Sequence, residues 1–254
     1  MNIFEFLAIA QDLAALTYFI GALVMALPIP LYGLKKWGPR LIADGLYSSI
    51  LVNLYEVFLS ITLEIGNMLG ANWSYYITWL YSVLAAELQV YVNIRSIYLG
   101  VSSIPYLNPL AGPVTLFLSI VSAFASVTGT LIVISQLIYN NVGLIIILGI
   151  LFMSLPFRIG RSIGGSLIGF AIVFYIGLPL LPSFLNMFGV DVLNVLFSSN
   201  DSISLLITQA IPEYLEGAVL MPVVYLGILS SISLGLGSAI SGTYSRLPIP
   251  LDFL

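Results

Sequence analysis

From residue 96 to residue 157 this chain carries no charged side chain. A soluble domain typically carries about 25% charged residues, whereas the 254 residues here are 7% charged and 60% hydrophobic. That leaves a soluble core out of contention. Roughly 20 apolar residues carry a helix across a bilayer, and the apolar stretches are continuous rather than alternating, which favours helices over β-barrel strands. The pattern predicts spans at 13–34, 46–65, 75–97, 114–136, 138–155, 163–181 and 217–240. The fold class is therefore all-α: a polytopic bundle of about seven spans, with 1–254 as a single integral membrane domain.

The charges sort by side. Lys35, Lys36 and Arg40 follow the first span, Arg95 ends the third, Arg158 and Arg161 follow the fifth, and Arg246 follows the seventh. Glu5, Asp12, Glu64, Asp191, Asp201, Glu213 and Glu216 fall in the other set of loops. Basic residues are retained on the cytoplasmic side, so the N-terminus is expected outside and the C-terminus inside. Keeping Arg158 and Arg161 inside requires two crossings between 114 and 155, with a tight helical hairpin near Gln136, Asn140 and Asn141. Trp73, Tyr75, Tyr76 and Trp79 read as an outer aromatic belt. The N-x-S/T sequons at Asn72 and Asn200 lie in outer loops and are possible glycosylation sites. The opening MNIFEFLAIAQD lacks a positive n-region and carries Glu5, so the first span is expected to be retained and not cleaved as a signal peptide.

Residues 182–216 form the longest outer loop. Within 184–197, Leu185, Phe188, Val192 and Val195 recur at helical spacing, which reads as an interfacial helix or as a cap over the bundle. The sequence LPIPL occurs at 27–31 and again at 247–251, where proline should kink or end a helix.

Several chemistries are closed. The chain has no His and no Cys, which excludes bis-His haem, thiolate metal sites, Cys nucleophiles, His-dependent triads and HExxH metalloproteases. No GxGD aspartyl-protease motif is present, nor a GxxxxGK[ST] phosphate loop. No catalytic, metal or cofactor residue is assigned, and an enzyme is not expected.

The candidates that remain are polar groups at membrane depth. Ser49, Asn53, Glu56, Ser60 and Glu64 recur every three or four residues in the second span, and the third adds Glu87, Gln89, Tyr91, Asn93 and Arg95. A charge at the bilayer centre costs about 2.5–3.5 kcal/mol on insertion scales. Asn53, Glu56, Ser60, Glu64, Glu87, Gln89 and Asn93 thus make a candidate polar path, or an interhelical hydrogen-bond network that orders the bundle. Small residues at four-residue spacing, Gly165 with Gly169, Ser122 with Ser126, and Ser231 with Gly235 and Ala239, allow close helix packing. Arg158 and Arg161 are inner-face anchors or a docking patch for an acidic partner.

The Pro-Phe-Arg turn at 156–158, the glycine-rich entry at Gly160, Gly164 and Gly165, and the span ending in Leu178, Pro179 and Leu180 resemble the TrbL/VirB-type polytopic subunit of type IV secretion and conjugation machines. Low Lys, absent Cys and His, and abundant Ile, Leu, Ser and Tyr bring the likeness nearest to the crenarchaeal CedA-like proteins. The resemblance implies a membrane channel component of a DNA-import machine, working with a cytoplasmic HerA/VirB-type ATPase and small membrane subunits, with DNA as transported substrate. It places Arg158 and Arg161 at the ATPase-facing surface. Membrane lipid and further copies of the chain are the other expected partners. Neither the net charge of −4 nor the acidic outer face favours phosphate binding, which draws on many Lys or Arg contacts. The competing reading is an ion or small-solute carrier built on Glu56 and Glu87, and a scaffold bundle is a third.

Overall fold

The computed structural model describes residues 3–28, 35–189, 193 and 221–242, and every regular element among them is helical. The helices are α1 (Ile3–Ala26), α2 (Trp37–Asn53), α3 (Tyr55–Met68), α4 (Trp73–Ser103), α5 (Ala111–Ser154), α6 (Arg161–Gly177), α7 (Leu181–Met187) and α8 (Met221–Ser241). Among the described residues, four stretches are long and apolar enough to cross a membrane: α1, α5, Arg161–Met187 and α8. Helices α2 and α3 meet at a 54° bend and make a fifth if taken as one broken span. Beside that bend, the Asn53 amide donates back to the Ser49 carbonyl at 2.7 Å, competing with the backbone donor and loosening the ladder.

The seven expected spans are not reached on this measure, for two physical reasons. Helix α4 is about 46 Å long at 1.5 Å per residue, but Glu87, Gln89, Asn93 and Arg95 dilute its hydropathy. The reversal expected at 136–141 does not separate two stretches: Ala111–Ser154 is continuous except for a kink where Asn141 leaves helical geometry (φ −125°, ψ 16°). The first span is also displaced, since α1 covers Ile3–Ala26 rather than 13–34. It ends just ahead of Pro28, as the ring of proline demands; the rest of that motif and its second copy at 247–251 lie outside the described residues.

The helix expected across 184–197 is cut short. Helix α7 stops at Met187, and Gly189 follows in the left-handed region (φ 74°), the common way for glycine to end a helix. Leu185, near the start of the 182–216 segment, is buried. Apart from 193, its residues 190–216 lie outside the described residues.

The chain divides into two compact units, one from Met1–Leu69, Asn141–Ile176 and Leu229–Leu254, the other from Gly70–Asn140 and Gly177–Ile228. In the first, α1 lies against α2 with no room for a side chain at Gly21 or Gly45. A Cβ on Gly21 would meet the Ile42 nitrogen at 2.8 Å, and one on Gly45 would meet the Ala14 carbonyl at 2.8 Å. The core is built from Ala10, Leu51, Tyr55, Ile146, Ile150 and Ile168, with Phe6 and Leu59 packed against it. Hydroxyls from the hairpin satisfy the orphan carbonyls at the end of α5: Thr17 donates to Ser154 at 3.1 Å and Ser48 to Met153 at 3.2 Å. Gly165 faces Gly237, and Gly169 faces Ser233 and Gly237, which draws α6 and α8 together. The small-residue stripe was therefore read correctly on α6, but on α8 the packing face is 233/237, and Gly235 meets nothing.

In the second unit α4 and residues 111–140 of α5 run antiparallel, joined by a 3-10 turn at Pro105–Leu110. The pairing is read from Tyr76 with Ser135 (3.1 Å) and Glu87 with Thr128 (3.0 Å). The expected aromatic belt is divided: Trp73 and Tyr76 are buried and Tyr75 is exposed. Residues 73, 76, 80 and 83 share one helix face, and that face is the interior one.

Candidate functional site

Asp44 gathers two arginines of the first unit. It sits two turns into α2, its side chain 12% exposed, and accepts a two-pronged bond from Arg158: Nε to Oδ2 at 2.6 Å and Nη2 to Oδ1 at 2.8 Å. The Arg161 Nη1 also donates to Oδ1. Arg161 spends its Nε on the Ser241 carbonyl at 2.5 Å and lies 5.0 Å over the Tyr47 ring, whose hydroxyl donates to Ile240 at 2.6 Å. One carboxylate thus laces the start of α2, the 156–161 turn and the end of α8, and the last carbonyls of α8 find the donors they need.

The turn is shaped to deliver these arginines. Leu155 is extended ahead of Pro156, as a residue before proline prefers. Phe157 and Arg158 then both take left-handed backbone, at φ 62° and 61°. For non-glycine residues that geometry is strained, by on the order of 1–3 kcal/mol each, and the fork of Arg158 on Asp44 holds it. The hydrogen bond to Asp44 raises the Arg158 pKa above its ordinary value, so the guanidinium stays charged. Gly160 admits no side chain, because a Cβ there would overlap the Phe152 carbonyl. Of the two residues expected at a docking surface, Arg161 is 13% exposed and committed inside the fold, while Arg158 is 50% exposed.

The expected polar path is divided. In the first unit Asn53, Glu56, Ser60 and Glu64 are all exposed. Asn53 and Ser60 bond carbonyls of their own helical segment, at Ser49 and Val57. Ser49 turns the other way, exchanging hydrogen bonds with Gln11 of α1 at 2.9 and 3.3 Å. In the second unit Glu87 is completely buried, and its Oε1 accepts the Thr128 hydroxyl. Gln89 and Asn93 on the same helix are exposed. Thr128 also lines a cavity of about 470 Å³ together with Trp79, Val83, Phe124, Leu131 and Leu226. Asn72 is exposed and serves as the N-cap of α4, its side-chain oxygen accepting from the Tyr75 backbone at 3.0 Å. Asn200 lies outside the described residues.

The residue that sequence reasoning missed is Asp44. Its signal was available: beside Lys35, Lys36 and Arg40 it breaks the sorting of acids from bases.

Comparison with known proteins agrees on one kind. The family model for the DNA import protein CedA1 matches residues 1–68. Over 257 residues the chain is 39% identical to the DNA import protein CedA of Sulfolobus acidocaldarius, with 99% of both chains covered. No solved structure matches.

Proposed function

The chain belongs to the CedA family of DNA import proteins, and from that premise we propose that it is a multi-pass component of the cell membrane through which DNA enters the cell. The observation that carries the reading is identity sustained over 99% of both chains, because end-to-end similarity extends to every helix and loop. Channel formation, a cytoplasmic HerA/VirB-type ATPase, small membrane subunits and kinship with TrbL/VirB-type subunits belong to the same proposal. An ATPase partner supplies what this sequence lacks, a phosphate loop of its own.

For topology we infer an outer N-terminus and an inner C-terminus. Asp44, Arg158, Arg161 and Ser241 meet at one end of the first unit, so the start of α2, the 156–161 turn and the end of α8 lie on one side of the membrane. The exposed basic residues Lys35, Lys36 and Arg40 share that end of the chain, which makes it the inner one. By length and composition α1, α2–α3, α5, the Arg161–Met187 stretch and α8 are five candidate crossings. Five and seven crossings are both odd, so the termini fall on the same sides under either count.

The carrier reading keeps one observation in its favour, the buried Glu87 whose partner Thr128 lines a cavity. Exchange of chromosomal markers between cells decides between the two, with the gene deleted in donor, recipient or both. DNA import requires loss of exchange when the recipient lacks it and normal exchange when only the donor does. Normal exchange in every combination overturns the proposal and moves the weight to a carrier.

A further inference from the structure

One end of the first unit holds more positive charge than its own carboxylate balances. Arg158 and Arg161 share Asp44, so two guanidiniums meet a single negative charge. Arg40 precedes Asp44 by one turn of α2, which sets their Cβ atoms about 5–6 Å apart. Lys35 and Lys36 stand just ahead of that helix. Both lysines and Arg40 are exposed, and among the described residues no ion pair reaches them. Arg158 is itself half exposed, and Asp44 takes only two of its five N–H groups. Two guanidiniums with donors to spare therefore meet at one face of α2.

The surface around them is apolar. Trp37 lies two turns before Asp44 on the same face of α2, and Phe157 and Ile159 flank Arg158 in sequence; all three are exposed. Ile163, also exposed, carries the apolar surface onto α6. A partner for this end must offer anionic oxygens and hydrocarbon side by side. Nucleic acid offers phosphates, and bases on which rings can stack, but nothing to cover Ile159 and Ile163. An acidic peptide offers carboxylates without the hydrocarbon. A phospholipid offers both, and indole rings at headgroup level are the usual companions of a bilayer surface.

We propose that Arg40 and Arg158 form a seat for the phosphate headgroup of an anionic membrane lipid, with Trp37, Phe157 and Ile159 against its hydrocarbon. Basic pockets at the ends of spanning helices bind anionic headgroups in this way. Asp44 holds Arg158 in place before the lipid arrives, so part of the ordering cost of binding is already met. Lys35 and Lys36 add attraction from the surface. The seat goes beyond the DNA-import reading and does not rest on it.

The chain has no cysteine, so a fluorophore can be attached at one site. Full-length I163C is labelled and placed in phosphatidylcholine nanodiscs that contain brominated phosphatidylglycerol or, for comparison, brominated phosphatidylcholine. Phosphatidylglycerol is expected to quench the label at a lower mole fraction than phosphatidylcholine does. R40Q is expected to raise the mole fraction for half-quenching by phosphatidylglycerol about fivefold, whereas R95Q, in the other unit, leaves it unchanged. Equal quenching by the two lipids, or equal shifts from R40Q and R95Q, overturns the seat. Competitors are then added at constant ionic strength. Unbrominated phosphatidylglycerol is expected to relieve the quenching. Equally complete relief by inorganic phosphate overturns the proposal in favour of a free-phosphate site, and by a short single-stranded oligonucleotide in favour of nucleic acid.

Discussion

Asp44 and Glu56 lie about three turns apart on the bent α2–α3 pair and meet opposite surroundings. Asp44 is turned inward, with two guanidiniums on its oxygens and the Ser241 carbonyl taking the Nε donor of Arg161. Glu56 is turned outward, with no partner among the described residues. Both are carboxylates in an apolar helix. The first is explained by the fold that it ties together, and the second has no such tie among the described residues. Polar groups satisfied inside a membrane protein order its structure, and polar groups left on its surface mark where it meets water or another protein.

The sharpest way to break this contrast is to remove Asp44. D44A leaves Arg158 and Arg161 facing each other without a counter-charge, and the folded state is expected to lose roughly 3 kcal/mol, read as a large drop in the midpoint of thermal unfolding in detergent. R161A should approach that loss, whereas R158A should cost only about 1 kcal/mol, because water screens a half-exposed ion pair. Equal losses from the two arginines would contradict the division between them. Next in size is G164A, whose Cβ overlaps the Gly149 carbonyl; overpacking of this kind costs about 1–3 kcal/mol. T128V withdraws the Thr128 hydroxyl from Glu87 and is expected to cost about 1 kcal/mol, with DNA uptake unchanged if Glu87 is structural. Loss of uptake at full protein abundance would instead make Glu87 a working residue. Smallest in stability is E56L, within about 0.5 kcal/mol of the parent.

Topology offers a test that stability cannot. Five crossings place the Pro105–Leu110 turn outside and seven place it inside. A single cysteine at Ser103 is expected to react with a membrane-impermeant maleimide applied to intact cells; protection of S103C until the cells are opened would restore the hairpin within α5.

Much of the architecture was legible because hydropathy and charge act locally. The apolar runs located the long helices, and Asn53, Glu56, Ser60 and Glu64 are all exposed. What escaped depends on partners distant in sequence. Gln136, Asn140 and Asn141 looked like a turn, yet a helix absorbs such residues when a neighbour offers a bond, as Tyr81 does for Gln136 at 2.9 Å. Trp73 and Tyr76 looked interfacial by type and proved interior by position. Arg158 and Arg161 were marked as important for docking, but their carboxylate lies more than a hundred residues earlier, and only its place among basic residues gave it away. Periodicity identified the α3 stripe without revealing which way it faces.

The most direct measurement is complementation of a recipient lacking the gene with two variants, D44A and E56L, scoring protein in the membrane and markers acquired. The account predicts that D44A fails through loss of folded protein, while E56L reaches normal abundance and imports no DNA. Normal import by E56L at normal abundance would contradict the claim that the outward carboxylate serves the function while the inward one serves the fold.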